Sequence, residues 1–111
     1  MKMRTPTHPG TVIRADVLPA FGLSCAEAAR LLHTARPGLN NILTSKAALS
    51  PEMALKIEAV FGVEAEGLLQ MQVAHDLAAA RIASRDKLKG LRRLQPRAAA
   101  PDLDPEEEFP I

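Results

Sequence analysis

The chain has 111 residues, room for one small domain and a tail, and its 47% hydrophobic content includes three Phe and no Trp or Tyr. Ala and Leu dominating over aromatic and β-branched runs point to an all-α bundle. A single Cys25 excludes an intramolecular disulfide, and no apolar run approaches the ~20 residues that a membrane helix needs, so a cytoplasmic protein is expected.

His8-Pro9-Gly10 punctuates the start, and Val12, Ile13, Val17 and Leu18 then recur at helical spacing. This predicts a helix over about 9–20, with Pro19 inside or closing it and Gly22 opening the next turn. Ser24 followed three places on by Glu27 is a capping box, in which each side chain satisfies an orphan backbone N–H. Ala28, Ala29, Leu31 and Leu32 give the second helix a small apolar face that lets a neighbour approach closely. His33-Thr34-Ala35 breaks the pattern. A third helix starts at Arg36-Pro37, with Pro in the first turn where its missing N–H costs nothing.

Leu39, Ile42 and Leu43 form the buried face of this third helix, which leaves Arg36, Asn40 and Asn41 pointing outward from its N-terminal half. That is the layout of a helix-turn-helix whose second helix offers polar side chains to base edges in the major groove. Arg suits guanine and Asn suits adenine by bidentate pairing. Base contact is therefore assigned to Arg36, Pro37, Gly38, Asn40 and Asn41, and phosphate contact to Ser24, Thr44 and Lys46. The plainer alternative is a solvated helix face.

Ser50-Pro51-Glu52 is a further start signal, with Ser as cap and an acid in the first turn. Met53, Ala54, Ile57, Val60 and Phe61 form the stripe of a fourth helix, and Gly62 stops it. From Glu64 a longer helical pattern runs to about Ala83. The expected core is Val12, Ile13, Val17, Ala28, Leu31, Leu32, Leu39, Ile42, Leu43, Leu49, Ala54, Ile57 and Phe61. So small a core is marginal alone and favours dimerisation. The fifth helix carries surplus apolar surface, and Leu68, Met71, Val73 and Leu77 are expected at a dimer interface.

The net charge of +1 hides an asymmetry. Residues 81–97 carry seven bases against Asp86, whereas residues 102–108 carry five acids and no base. A compact domain over 1–83 is thus followed by a tail over 84–111, basic and then acidic and Pro-rich, expected to be flexible and disordered. Leu88, Leu91 and Leu94 could continue a helix that Gly90 and the charges would fray. The basic run is open to three readings: a solvated segment, a nonspecific DNA clamp or a protein-docking arm.

His8, His33 and His75 are too scattered for metal-ligand spacing, so no metal is expected. A lone Cys25 without a His/Asn signature does not make a nucleophile, and no Gly-rich phosphate loop or nucleophile elbow is present. Neither enzymatic activity nor a cofactor is expected.

Several stretches together are more specific than any one of them: HPGTVIRADVLPAFGLS, EAARLL, ARPGLNNIL, LSPEMALKIEAVFGV and LLQMQVAHDLAAAR, in order over about residues 8–81. On these the chain resembles the HigA-type antitoxins of the Xre-like, phage-repressor-like helix-turn-helix superfamily. The resemblance implies a five-helix fold and a cytoplasmic homodimer that binds a ribonuclease-type toxin and represses its own operon. A dimer of this kind requires double-stranded DNA with a near-palindromic operator, its half-sites roughly 34–36 Å apart. Toxin chemistry itself is not visible in composition or spacing. A stand-alone or phage-type transcriptional regulator without a toxin partner is the alternative, and an interaction module that kept the fold but not DNA binding is a third. The chain departs from the family pattern where Cys25 replaces a phosphate-contacting Gln, His33 a turn Gly, and Ala35 a Ser or Thr cap. Thr44-Ser45 likewise stands for Asn-Gly, and Gly67-Leu68 for Phe-Trp.

Overall fold

A computed structural model describes residues 6–97, all of whose regular structure is helical. The helix α1 covers residues 9–21 and has three parts: an α-helical turn Pro9–Val12, a π-helical stretch Ile13–Val17 and a closing turn Leu18–Phe21. Pro19 lies inside it and has no N–H to give the Ala15 carbonyl, while its ring crowds the preceding turn. The chain widens there, and Leu18 N–H donates to Ile13 O, five residues back. Gly22, at φ 67°, closes α1 in the left-handed conformation.

The remaining helices are α2 (Cys25–Leu31), α3 (Arg36–Leu43), α4 (Pro51–Phe61), α5 (Ala65–Ala83) and a single turn, α6 (Arg85–Leu88). The starts of α2, α4 and α5 have side-chain partners. Ser24 and Glu27 form the reciprocal capping box, both bonds at 3.2 Å. The Ser50 hydroxyl accepts from Met53 N–H at 3.1 Å, and Glu58 Oε2 accepts from Ala65 N–H at 2.9 Å, tying the start of α5 back to α4. Beyond Leu88 no regular structure follows as far as Arg97, so the helical alternative for the basic segment ends after one turn. The acidic, Pro-rich end expected to be disordered begins after Arg97 and lies outside the described residues.

One core joins α1 to α5. Ile13, Ala28, Ala54 and Ile57 are fully buried, and Leu32, Leu39, Leu43, Leu49 and Leu68 nearly so. Ala28 and Ala29 let α3 pack closely on α2, while the first turn of α1 rests on both α3 and α5. Two expected core residues are corrected. Leu31 is 50% exposed and Val12 only half-buried, because the α2 face that meets α3 is centred on Ala28 and Leu32. Leu18, Ala29, Met53, Ala65 and Leu68 complete the core in their stead.

Candidate nucleic-acid interface

The turn between α2 and α3 is built from backbone bonds: His33 N–H donates to Arg30 O at 3.2 Å and Thr34 N–H to Ala29 O at 2.9 Å. His33 sits at φ 52°, a left-handed conformation that glycine adopts without strain. Ala35 then takes the extended cap position of α3 without a side-chain cap bond. The amides of Arg36 and Gly38 are therefore left facing water at the positive end of the helix dipole.

Within α3 the 3.6-residue period puts Leu39, Ile42 and Leu43 on the buried side, and each is less than 10% exposed. Pro37 and Asn41 lie opposite them, with Arg36, Gly38 and Asn40 on the flanks; all five are exposed. These predicted base-contacting residues thus form one continuous outward face. Residues 28–51 contain Arg30, Arg36 and Lys46 and no acid. Neither Arg36 nor Lys46 belongs to an ion pair among the described residues.

The predicted phosphate contacts differ from one another. Lys46 is exposed just past α3. The exposed Ser24 accepts from Glu27 N–H through its hydroxyl oxygen. Its partner Glu27 is held below the usual carboxylate range by the Ser24 backbone N–H, then by the Ser24 hydroxyl. Thr44 is half-buried at the end of α3, where its O–H donates to Asn40 O at 2.8 Å.

On α5 the four residues expected at a dimer interface do not share a face. Leu68 is 3% exposed inside the protomer core and has no surface to offer, which corrects that assignment. Met71 is half-buried on the same side as Leu68 and Gln72. Val73 and Leu77, 56% and 47% exposed, do face outward. With Leu69, Ala74, Gln70 and Glu66 they line a shallow apolar groove.

Three residues that sequence reasoning passed over hold α3 in place. A Cβ on Gly10 would collide with the Ile42 carbonyl, so only glycine lets α1 lie on the C-terminal end of α3. His8 caps α1 through its side chain, Nδ1 accepting from Gly10 N–H at 2.9 Å. Gln72 Oε1 accepts from Leu49 N–H at 2.8 Å and so anchors the loop after α3. The His-Pro-Gly start was the available signal for the first two. Gln72, set between apolar neighbours, gave only a faint one. Among the described residues no group of His, Cys, Asp and Glu is placed to hold a metal ion, and no helix is long and apolar enough to cross a membrane.

The sequence pattern of the Helix-turn-helix family matches residues 13–68, the stretch that runs from α1 into α5. The chain belongs to the helix-turn-helix family. It is 39% identical over 80 residues to the uncharacterized HTH-type transcriptional regulator YddM of Escherichia coli strain K12, covering 72% of this chain and 84% of that protein. Structural neighbours of this helix-turn-helix chain include antitoxins, HigA-family ones among them. The antitoxin GraA superposes with a TM-score of 0.76 at 35% identity, covering 84% of this chain and 100% of GraA. GraA in complex with its operator gives 0.75 at 34% identity, with 86% and 96% covered. The Pseudomonas aeruginosa antitoxin HigA with the higBA promoter gives 0.75 at 28% identity, with 81% and 99% covered.

Proposed function

We propose that this helix-turn-helix protein is a DNA-binding antitoxin that represses its own operon as a homodimer and neutralises a ribonuclease-type toxin by direct binding. One observation carries the DNA half: the polar face of Arg36, Asn40 and Asn41 on a short helix whose opposite side is locked into the core. GraA in complex with its operator and HigA with the higBA promoter support DNA binding, and the exposed polar face supports placing α3 in the major groove. In that placement Arg36, Asn40 and Asn41 read base edges, while Pro37 and Gly38 bring the backbone close. Lys46 and the Ser24 hydroxyl contact phosphates, which position the protein without reading sequence.

Dimerisation is assigned to the α5 groove around Leu69, Val73 and Leu77, whose burial gives roughly 25 cal/mol for each Å² of apolar surface removed from water. The toxin half rests on likeness to antitoxins alone. A stand-alone regulator is the second reading, favoured by the description of YddM as a transcriptional regulator. Two experiments test the proposal. The purified protein should retard DNA from immediately upstream of its own gene in a gel shift, in preference to scrambled DNA of equal length. Co-expression with the product of the adjacent small gene should yield a stable complex and restore growth. Retardation without complex formation favours the stand-alone regulator, and complex formation without retardation favours the interaction module.

A further inference from the structure

A buried polar cluster lies behind α3, where the first turn of α1, the loop over 44–50 and α5 meet. The His8 ring is 5% exposed, accepts from Gly10 N–H through Nδ1, and stands edge-on to the His75 ring at 5.0 Å. Gln72, also 5% exposed, binds Leu49 N–H and donates through Nε2 to Asp76 Oδ1 at 2.9 Å. That same Asp76 oxygen is 4.0 Å from His75 Nδ1, a buried nitrogen without a hydrogen-bond partner among the described residues. Gly10, next to the His8 cap, is the residue pressed against the Ile42 carbonyl. The C-terminal end of α3 therefore rests on α1 where His8 caps it, and its following loop hangs from α5 through Gln72.

We propose that His8 and Gln72 are positioning residues for DNA contact, fixing α3 against α1 and α5, and that the His8–His75 pair makes this hold proton-sensitive. The inference rests on the reading of α3 as the DNA-contacting helix. The cap requires a neutral His8, since an imidazolium carries a proton on Nδ1 and would turn a donor toward Gly10 N–H. The titratable groups facing His8 are His75 and Asp76, both from α5; the loop presents the Ala47 carbonyl. Burial, and then His75, hold His8 below its ordinary value of 6.5, against the opposing pull of the Ala47 carbonyl and Asp76. The sign follows: the cap is fully present above the unfolded-state value, and its stability is lost as pH falls from there through the lower folded-state value.

The test compares the wild type, His8→Asn, which keeps a cap acceptor without a titrating ring, and Gln72→Met, which keeps volume and removes both bonds. Binding of operator and random duplexes is followed by fluorescence anisotropy from about pH 8 to about pH 5.5, across the range where histidine titrates. Circular dichroism and amide exchange at Ala47 and Leu49 accompany it. The wild type should lose operator affinity about tenfold on acidification while still helical. His8→Asn should keep in acid the affinity it shows at pH 8. Gln72→Met should speed exchange at Leu49 and lower operator preference about tenfold, with helix content unchanged. Identical pH profiles for wild type and His8→Asn, or unchanged operator preference in Gln72→Met, overturn the inference. Should His8→Asn not fold, His75→Phe keeps the edge-on packing and must shift the acid loss toward higher pH; an unmoved profile overturns it equally. A wild type without operator preference at any pH refutes the DNA reading, and Leu49 exchange, which needs no DNA, then decides the positioning role by itself.

Discussion

Gly38 separates folding from binding at the scale of one residue. It sits in the first turn of α3, and a Cβ built there meets nothing within 4 Å. No packing demand inside the protomer explains a glycine at a helical position that costs about 0.5–1 kcal/mol relative to alanine. Gly38→Ala should therefore raise the thermal midpoint while weakening DNA binding, because the methyl group stands where a DNA backbone or base would approach. Thermal melts and anisotropy check it, and unchanged binding would remove Gly38 from the interface. Ala35 gives a second case. It holds the cap position of α3 without a cap bond, so Ala35→Ser should add about 0.5–2 kcal/mol of stability in a urea titration. Lys46→Ala should behave differently from both. It should weaken binding to all sequences alike and flatten the dependence of log K on log salt by about 0.9.

At the scale of the element, α5 has one apolar face in the core and another exposed, and paired substitutions distinguish them. Leu77→Asp places a charge on the exposed groove and should dissociate dimers while the protomer stays helical; Leu68→Asp, in the core, should unfold it. Sedimentation with circular dichroism reads both, and a fully dimeric, folded Leu77→Asp protein would take the groove out of the interface. The same helix marks the limit of what its sequence disclosed. The starts and stops were legible because Ser24, Glu27, Ser50 and Gly62 act on their own backbone within a few residues. The outward face of α3 was legible because eight residues with three buried apolar ones define a single stripe. On α5, apolar residues surround the helix, so periodicity could not say that Leu68 points in and Val73 out. The roles of Gly10 and Gln72 in holding α3 were obscure for another reason: each is fixed by a tertiary contact, Gly10 with Ile42 and Gln72 with Leu49, that no local spacing encodes.

Over the whole molecule, charge is distributed more tellingly than its net value. The cations around α3 and the exposed basic run over 81–97 are separate features, and α6 contributes no buried residue. Removing 84–111 should therefore leave the fold and operator preference intact. Removing only 101–111, whose acids precede no base, should strengthen nonspecific DNA binding at low salt, where screening lengths reach ~30 Å at 0.01 M. Equal affinity of both truncations and the full chain at low salt would leave the tail without a part in DNA binding. The central proposal is that α3 reads sequence. Its most direct test is anisotropy of the wild type and Arg36→Ala on the upstream duplex and on a scrambled duplex, at one fixed salt concentration. The expected result is a loss of about 1–3 kcal/mol on the upstream duplex with a smaller loss on the scrambled one. An operator-to-scrambled ratio unchanged by Arg36→Ala would contradict it.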